Sequence, residues 1–163
     1  MAGLLFGAFL SISAVPGLAQ GTAIEFGGLR QDTSLPVEIT SDALQVSQSD
    51  GSATFTGNVL VSQGEMRLSA QEMRVVYAAG GASSGTIQEL RATGGVTLVN
   101  GGDAAEAEEA VYDIEAGEVV MRGDVILTQG PNALSSNELT IDLASGTGRL
   151  QGGVRTIFQT GTR

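Results

Sequence analysis

Internal repetition is the feature that most constrains how this chain can fold. Residues 53–64 contain two alternating apolar strands joined through a tight turn at Gly57, and the same parts recur around Gly94, Gly123 and Gly152. The steps between these glycines are about 37, 29 and 29 residues. Repetition of this regularity predicts stacked supersecondary units of about 29 residues rather than an irregular globule.

A second element recurs ahead of each glycine. Its copies begin at Ile39, Leu68, Ala105 and Leu134, so the steps are again about 29, 37 and 29 residues. The extra length of the second copy falls in residues 78–85, a run of small residues that is typical of an insertion in a surface loop. Four copies in phase therefore occupy most of the chain.

The apolar residues inside the repeats alternate with polar ones, which is the period of half-buried β-strands. Glycine pairs at the junctions supply the positive φ that tight connections and bends in strands require. Only residues 104–111 are rich in alanine and glutamate, and they align with strand elements of the other copies, so we predict a strand there against local helix propensity. The chain is expected to be all-β.

The chain divides into three parts. Residues 1–19 are uncharged, with an apolar run from Leu4 to Val15 followed by Pro16 and small residues, which predicts a cleaved secretory signal peptide. The run is about half the ~20 residues of a membrane-spanning helix, so a retained anchor is the weaker alternative. We expect residues 20–35 to be a flexible leader or edge strand, and residues 36–160 to form one β-domain.

Composition excludes several kinds of chemistry. The formal net charge is -10, which opposes binding to nucleic acid. The chain has no histidine, cysteine or lysine, so nucleophile-base pairs and the common transition-metal ligands are missing. Glu106 and Glu108 would share one face of a strand and could serve acid-base chemistry or calcium, but a solvated outer face is the simpler interpretation. We predict no catalytic residue, metal or cofactor.

The inward apolar residues could fill a core or line a trough for acyl chains, which need no charged partner. The bulkiest are Phe55, Met73, Tyr77, Tyr112 and Met121. The complete candidate wall is Val46, Phe55, Val59, Val61, Met73, Val75, Tyr77, Leu98, Tyr112, Met121, Leu127 and Ile141.

Three sequence patterns together resemble a known family. They are the Ile-Thr-Ser-Asp-Ala-Leu run at 39–44, the Ala-Thr-Phe-Thr-Gly-Asn-Val run at 53–59, and the Leu-Ser-Ala-Gln-Glu-Met run at 68–73. This combination is similar to the OstA-like repeats of lipopolysaccharide-transport proteins, over roughly residues 35–158. The resemblance implies an antiparallel β-jellyroll, open along one side, that shields the acyl chains of lipopolysaccharide (lipid A) in the periplasm.

The resemblance also implies partners: an LptC-like inner-membrane protein, the N-terminal domain of an LptD-like outer-membrane protein, and other copies of the chain stacked head to tail. Unpaired edge strands near residues 37–46 and 154–160 would favour such pairing between sheets. The residues predicted at these partner edges are Val37, Ile39, Val154 and Ile157.

Other readings stay open from the sequence alone. The chain could be a membrane-anchored LptC-like component of the same pathway if its N-terminal segment is retained. It could instead be a structural β-solenoid or adhesin segment with a filled core. A carbohydrate-active β-repeat enzyme is a poorer fit, because aromatic residues are only 4% of the chain and offer no sugar platform.

Overall fold

The computed structural model describes residues 22–25 and 28–159, and this part of the chain is almost entirely β-structure. The predicted signal peptide lies outside the described residues. A short 3₁₀ helix, Gly81–Ser84, stands in the predicted insertion loop. The strands are β1 Thr22–Glu25, β2 Glu38–Thr40, β3 Ala43–Ser47, β4 Ser52–Gln63, β5 Met66–Tyr77, β6 Ile87–Asn100, β7 Asp103–Asp113, β8 Glu118–Gln129, β9 Asn132–Asp142, β10 Thr147–Gln151 and β11 Arg155–Ile157.

All strands belong to one antiparallel sheet, in the order β1-β10-β9-β8-β7-β6-β5-β4-β2. Strands β4 to β10 form a meander of consecutive hairpins. Both edges are split: β2 and β3 pair with different halves of β4, and β11 and β10 pair with different halves of β9. The all-β prediction is confirmed, and residues 104–111 form part of β7 as expected.

The prediction that glycine pairs make tight turns between short strands is wrong. Gly57, Gly94 and Gly123 lie in the middle of the long strands β4, β6 and β8, where the pairing register shifts. An extra residue in one strand bends it and raises its twist, and positive φ at a bulge favours glycine. The hairpins instead turn at the other glycines of the repeat, such as Gly64, Gly101 and Gly130.

Each of these bends packs against a matching residue of the neighbouring strand or edge. A Cβ added to Gly57, Gly94, Gly123 or Gly152 would stand 2.5 to 2.8 Å from a side-chain atom of the preceding repeat element. These partners occupy the fourth position of that element in every copy, and they are Asp42, Gln71, Glu108 and Asn137 respectively. The two elements found by sequence comparison are therefore the two sides of one bend, repeated along the sheet.

The line of bends folds the sheet into two facing halves. The β3 half contains β3, β10, β1 and the adjoining halves of β4 to β9, and the β2 half contains β2, β11 and the remaining strand halves. Apolar side chains from both halves form one buried cluster. The core forms because the two halves close onto each other and bury the same face of the sheet between them.

Gly94→Ala and Gly95→Ala test the packing at the bend. Both glycines have φ of 84°, so alanine costs about 1–2 kcal/mol of backbone strain at either position. A Cβ at Gly94 would also lie 2.8 Å from Cβ of Gln71, whereas nothing lies within 4 Å at Gly95. We expect Gly94→Ala to lower the free energy of unfolding in urea by about 1–3 kcal/mol more than Gly95→Ala. Equal losses would show that the contact with Gln71 has no energetic role.

Candidate functional site

Two continuous rows of inward side chains run across the strands of the β3 half. The register aligns directly opposite residues on successive strands, so the first row extends from β3 to β10 and the second from β3 to β9. The first row is Leu44, Phe55, Met73, Ala92, Ala110, Met121, Leu139 and Leu150. The second is Val46, Ala53, Val75, Leu90, Tyr112, Val119 and Ile141.

The β2 half faces these rows with an apolar row of its own. It consists of Ile39, Val61, Leu68, Leu98, Ala105, Leu127 and Leu134. Closer to the bend lie the smaller Val59, Ala70 and Val96. The space between the halves is therefore lined mainly by apolar side chains, and we call it the trough. In this structure the central wall residues bury one another, since Met73, Leu98 and Met121 are all fully buried.

The trough is uncovered at its β3 end. Leu44 and Val46 continue the two inward rows, yet their side chains are 55% and 53% exposed because no strand among residues 22–25 and 28–159 pairs with the outer side of β3. Exposed apolar side chains on an unpaired strand edge mark a surface that favours pairing with another sheet. The apolar lining thus reaches solvent at this end.

The hairpin turns form two rows that flank the open side of the trough. One row contains residues 48–51, 78–86, 114–117 and 143–146, and the other contains residues 64–65, 101–102 and 130–131. Residues 28–36, which we call the strap, run between the two rows. β1 pairs at one end of the sheet and β2 at the other, so the chain that links them has to travel the length of the sheet.

The strap contacts both rows of turns. On one side the backbone N–H of Gln31 donates to the backbone carbonyl of Leu143 at 2.8 Å, and Arg30 Nε donates to the backbone carbonyl of Ala144 at 3.0 Å. On the other side Gln31 Nε2 donates to the Gln63 carbonyl at 2.7 Å. Leu29 is 0% exposed and belongs to the core cluster. This part of the predicted flexible leader is therefore a docked segment. It bridges the open side of the trough between the two rows of turns, which we call the mouth.

A buried polar group at the mouth joins the strap to the wall. Gln63, the last residue of β4, is 1% exposed. Its Nε2 donates to the carbonyls of Thr33 at 3.1 Å and Leu35 at 2.9 Å, and its Oε1 accepts from the Tyr112 hydroxyl at 2.8 Å. Tyr112 belongs to the β3 half and Gln63 to the β2 half, so this chain of hydrogen bonds also spans the trough.

Burial raises the pKa of the Tyr112 hydroxyl above its ordinary value, although the hydrogen bond to Gln63 acts in the opposite direction. A raised pKa in the folded state means that this group stabilises the fold below the unfolded tyrosine pKa of about 10, and that the stabilisation is lost as pH rises above it. We expect the unfolding midpoint to fall more steeply as pH rises above about 10 in the unchanged protein than in Tyr112→Phe.

Thermal unfolding followed by circular dichroism across this pH range checks the prediction. At neutral pH, Tyr112→Phe itself costs about 1–2 kcal/mol, because Oε1 of Gln63 loses its donor in a buried place. Parallel pH curves for the two proteins would contradict the assignment of the alkaline effect to Tyr112.

The structure brings nearly all the predicted wall residues into the trough. Phe55 and Tyr77 are half-buried, and Val46 is exposed at the open end. The other nine, Val59, Val61, Met73, Val75, Leu98, Tyr112, Met121, Leu127 and Ile141, are fully buried. Their contact with lipid stays a prediction.

The predicted partner edges need a more exact description. Ile39 lies in β2 and faces the trough opposite Val61, whereas Val37 precedes the strand. At the other end Ile157 lies in β11 and is exposed, and Val154 falls in the bend before that strand. Residues 22–25 of the predicted leader or edge strand form β1, and its pairing with β10, which was not predicted, makes it the last strand of the β3 half.

Sequence reasoning also missed the polar residues at the mouth. Gln63, Asn100 and Gln129 each end a strand of the β2 half and each precedes a turn glycine. The recurrence of an amide residue before glycine in three copies was the available signal. Leu29 carried no such signal, because it lies in a segment without periodicity.

The acidic residues considered for catalysis lie on the outside. Glu106 and Glu108 are exposed, and a register shift separates the pairing of Glu106 from that of Glu109. The Glu108 side chain packs over Gly123 at the bend. Within residues 22–25 and 28–159, no group of three acidic side chains is placed to hold a metal ion. The solvated outer face is the interpretation that the geometry favours.

Among the described residues, no helix is both long and apolar enough to cross a membrane. The retained-anchor alternative concerns residues 1–19, which lie outside the described ranges.

The described residues define the class of open antiparallel β-jellyroll proteins, with an apolar trough between the two halves of the sheet. Comparison with known proteins makes the class specific. Residues 38–147 match the family described as LptA/(LptD N-terminal domain) LPS transport protein. The chain belongs to this family of lipopolysaccharide-transport proteins.

The chain has two further similarities to known proteins. A protein of Rhizobium meliloti (strain 1021), described as uncharacterized, is 34% identical over 145 residues, which are 86% of this chain and 78% of that protein. The crystal structure of LptH from Pseudomonas aeruginosa, described as the LptA homologous periplasmic component of the lipopolysaccharide transport device, has a TM-score of 0.68. It covers 79% of this chain and 99% of LptH at 14% identity, and so supports the fold.

Proposed function

We propose that this protein is a periplasmic carrier that shields the acyl chains of lipid A in its trough and forms part of a bridge between the two membranes. The observation that carries this proposal is the set of apolar rows that run through successive strands of the sheet and reach solvent at Leu44 and Val46. Family membership supplies the cargo class, lipopolysaccharide.

Acyl chains suit such a trough for a physical reason. Each methylene removed from water contributes about 0.8 kcal/mol, so one chain of about twelve methylenes contributes about 10 kcal/mol before any opening cost. The wall needs no charge to gain this energy. A net charge of -10 opposes binding of an anionic lipid through its phosphates, which favours recognition through the tails.

Assembly into a bridge follows from the sheet edges. In the part of the chain that the structure describes, β3 and β2 at one end and β11 and β1 at the other each have a side that pairs with no other strand. Pairing one end with the other end of a second copy would continue both sheet halves and join two troughs into one. The same edges would pair with an LptC-like protein on the inner-membrane side and with the N-terminal domain of an LptD-like protein on the outer-membrane side.

Residues 1–19 would direct export and be removed, leaving a mature protein that begins near Gln20. The neighbouring candidate is an LptC-like component that keeps this segment as an anchor. Mass spectrometry of the N-terminus of protein purified from cells separates the two: a mature start near Gln20 supports the carrier, and a retained Met1 supports the anchored component.

Binding of the cargo is tested with the mature chain and purified lipopolysaccharide. We expect the protein to extract lipopolysaccharide from its aggregates into a soluble complex that co-elutes on size exclusion at a defined ratio. The rival interpretation, a structural β-solenoid with a filled core, predicts that all the lipopolysaccharide stays in the aggregate fraction. That second result would remove the carrier function.

A further inference from the structure

We propose that the amide groups of Gln63 and Asn100 form a binding site for the carbonyl groups of acyl chains, which the strap fills with its own backbone carbonyls until lipid displaces it. This inference rests on the proposed function and specifies how the trough is closed and what its mouth recognises.

Two buried amide side chains lie at the mouth of the trough. Gln63 and Asn100 are 1% and 2% exposed and end β4 and β6, the two strands that flank β5 in the β2 half. Their donors point to the strap: Gln63 Nε2 to the carbonyls of Thr33 and Leu35, and Asn100 Nδ2 to the carbonyl of Arg30 at 3.4 Å. Buried amide donors are costly to leave without an acceptor, so whatever lies in the mouth has to offer carbonyl oxygens.

The proposed cargo also offers carbonyl oxygens. Lipid A carries its chains on a sugar backbone through ester and amide linkages, so every chain begins with a carbonyl at the boundary between tail and headgroup. When tails occupy the trough, these carbonyls stand at its mouth. The strap and the lipid therefore present the same acceptor to the same donors, and they cannot occupy the mouth together.

The strap is held weakly. Its contacts with the walls are mainly hydrogen bonds, together with one buried apolar side chain, Leu29. Strand β2, which follows the strap, also has only three residues in the sheet. Each of these hydrogen bonds contributes little net stability when another acceptor can replace the strap carbonyl. Burial of lipid tails contributes far more, so tails can displace such a segment. The strap is accordingly the part of the closed trough that opens at the lowest cost.

A disulfide lock tests whether the strap has to leave. A Cβ built on Gly28 lies 3.1 Å from Cγ of Asp103, close to the roughly 3 Å between Cβ and the partner sulfur across a disulfide. The chain has no cysteine, so Gly28→Cys with Asp103→Cys forms one defined bond. The probe is fluorescently labelled hexa-acylated lipid A, and the controls are both single variants and the double variant after reduction.

We expect the oxidised double variant to bind lipid A at least about tenfold more weakly than its reduced form, and both single variants to bind like the unchanged protein. Equal binding by the oxidised and reduced forms would contradict the proposal that lipid displaces the strap, while leaving the carrier function in place. Absence of binding in the unchanged protein would instead remove the carrier function, and the site at the mouth with it.

The carbonyl site has its own test, which does not depend on a variant. The unchanged protein should bind lipid A better than an analogue in which every acyl chain, ester-linked or amide-linked, is replaced by an ether-linked alkyl chain of equal length, because an ether lacks the carbonyl acceptor. Gln63→Met keeps the side-chain length without the donor, and it should reduce that preference severalfold. Equal affinity of the unchanged protein for the two lipids would overturn the carbonyl site.

Discussion

Replacing Leu44 and Val46 together with aspartate is expected to weaken head-to-tail association of this protein at least about 100-fold. Both side chains belong to the inward rows and are more than half exposed in the single chain. Burying them against the next copy contributes about 1.5–3 kcal/mol each, and every 1.4 kcal/mol is a factor of ten in affinity. The isolated monomer should lose little stability, since the exposed positions accept a charge at low cost.

A matched control keeps the added charge and changes only its face. Ala43 and Gln45 alternate with Leu44 and Val46 on β3 and point to the outer surface. Ala43→Asp with Gln45→Asp brings the same two negative charges, so simple repulsion affects both double variants. Sedimentation velocity over a range of concentrations measures association. Equal loss in the two double variants would show that the trough rows are not continued across the interface.

Met121→Ala is expected to have the largest effect on stability, a loss of about 2–5 kcal/mol in the free energy of unfolding. Met121 is 0% exposed and lies between Ala110 and Leu139 in the first row, so its removal leaves a cavity in the trough. Saturating lipid A should recover more of the lost stability here than it adds to the unchanged protein, because acyl chains fill the cavity and bind more tightly.

Val120→Ala serves as the matched change, because Val120 is the neighbouring residue of β8 on the outer face and is only half-buried. We expect it to cost less than about 1 kcal/mol and to respond to lipid A like the unchanged protein. Urea unfolding with and without lipid measures both effects. A large loss in Met121→Ala that lipid A does not reduce would favour a core permanently filled by protein.

Much of this fold could be predicted because alternation and repetition are local properties of the sequence. The inward set from Val59 to Ile141 followed from a period of two, and the phase of the copies placed residues 104–111 in a strand despite their alanine and glutamate content. The interior facing of Met73, Tyr112 and Met121 came from the same rule. One-sided alternation determines which face is buried wherever a sheet has a single core.

The meaning of the glycines could not be read from the sequence in the same way. A hairpin turn and a bulge both require positive φ, so the sequence alone does not distinguish the bulge at Gly57 from the turn at Gly64. The difference depends on which strands pair, and pairing is a property of the whole sheet. Strand β4 continues through Gly57 because β5 and the split edge of β2 and β3 pair on both sides of it.

The strap was beyond sequence reasoning for a related cause. Residues 28–36 have no periodicity, and their backbone carbonyls are held by side chains about 30 residues away and farther, such as Gln63 and Asn100. Only the sheet topology, with β1 and β2 at opposite ends, requires this segment to cross the mouth of the trough.

The most direct test of the central claim is photo-crosslinking in living cells at two neighbouring residues of β4. Phe55 faces the trough in the first row, opposite Met73, and Thr56 points to the outer surface. A photoreactive amino acid at position 55 should capture lipopolysaccharide, and the same amino acid at position 56 should not. Capture at both positions alike, or at neither, would contradict a trough that carries acyl chains.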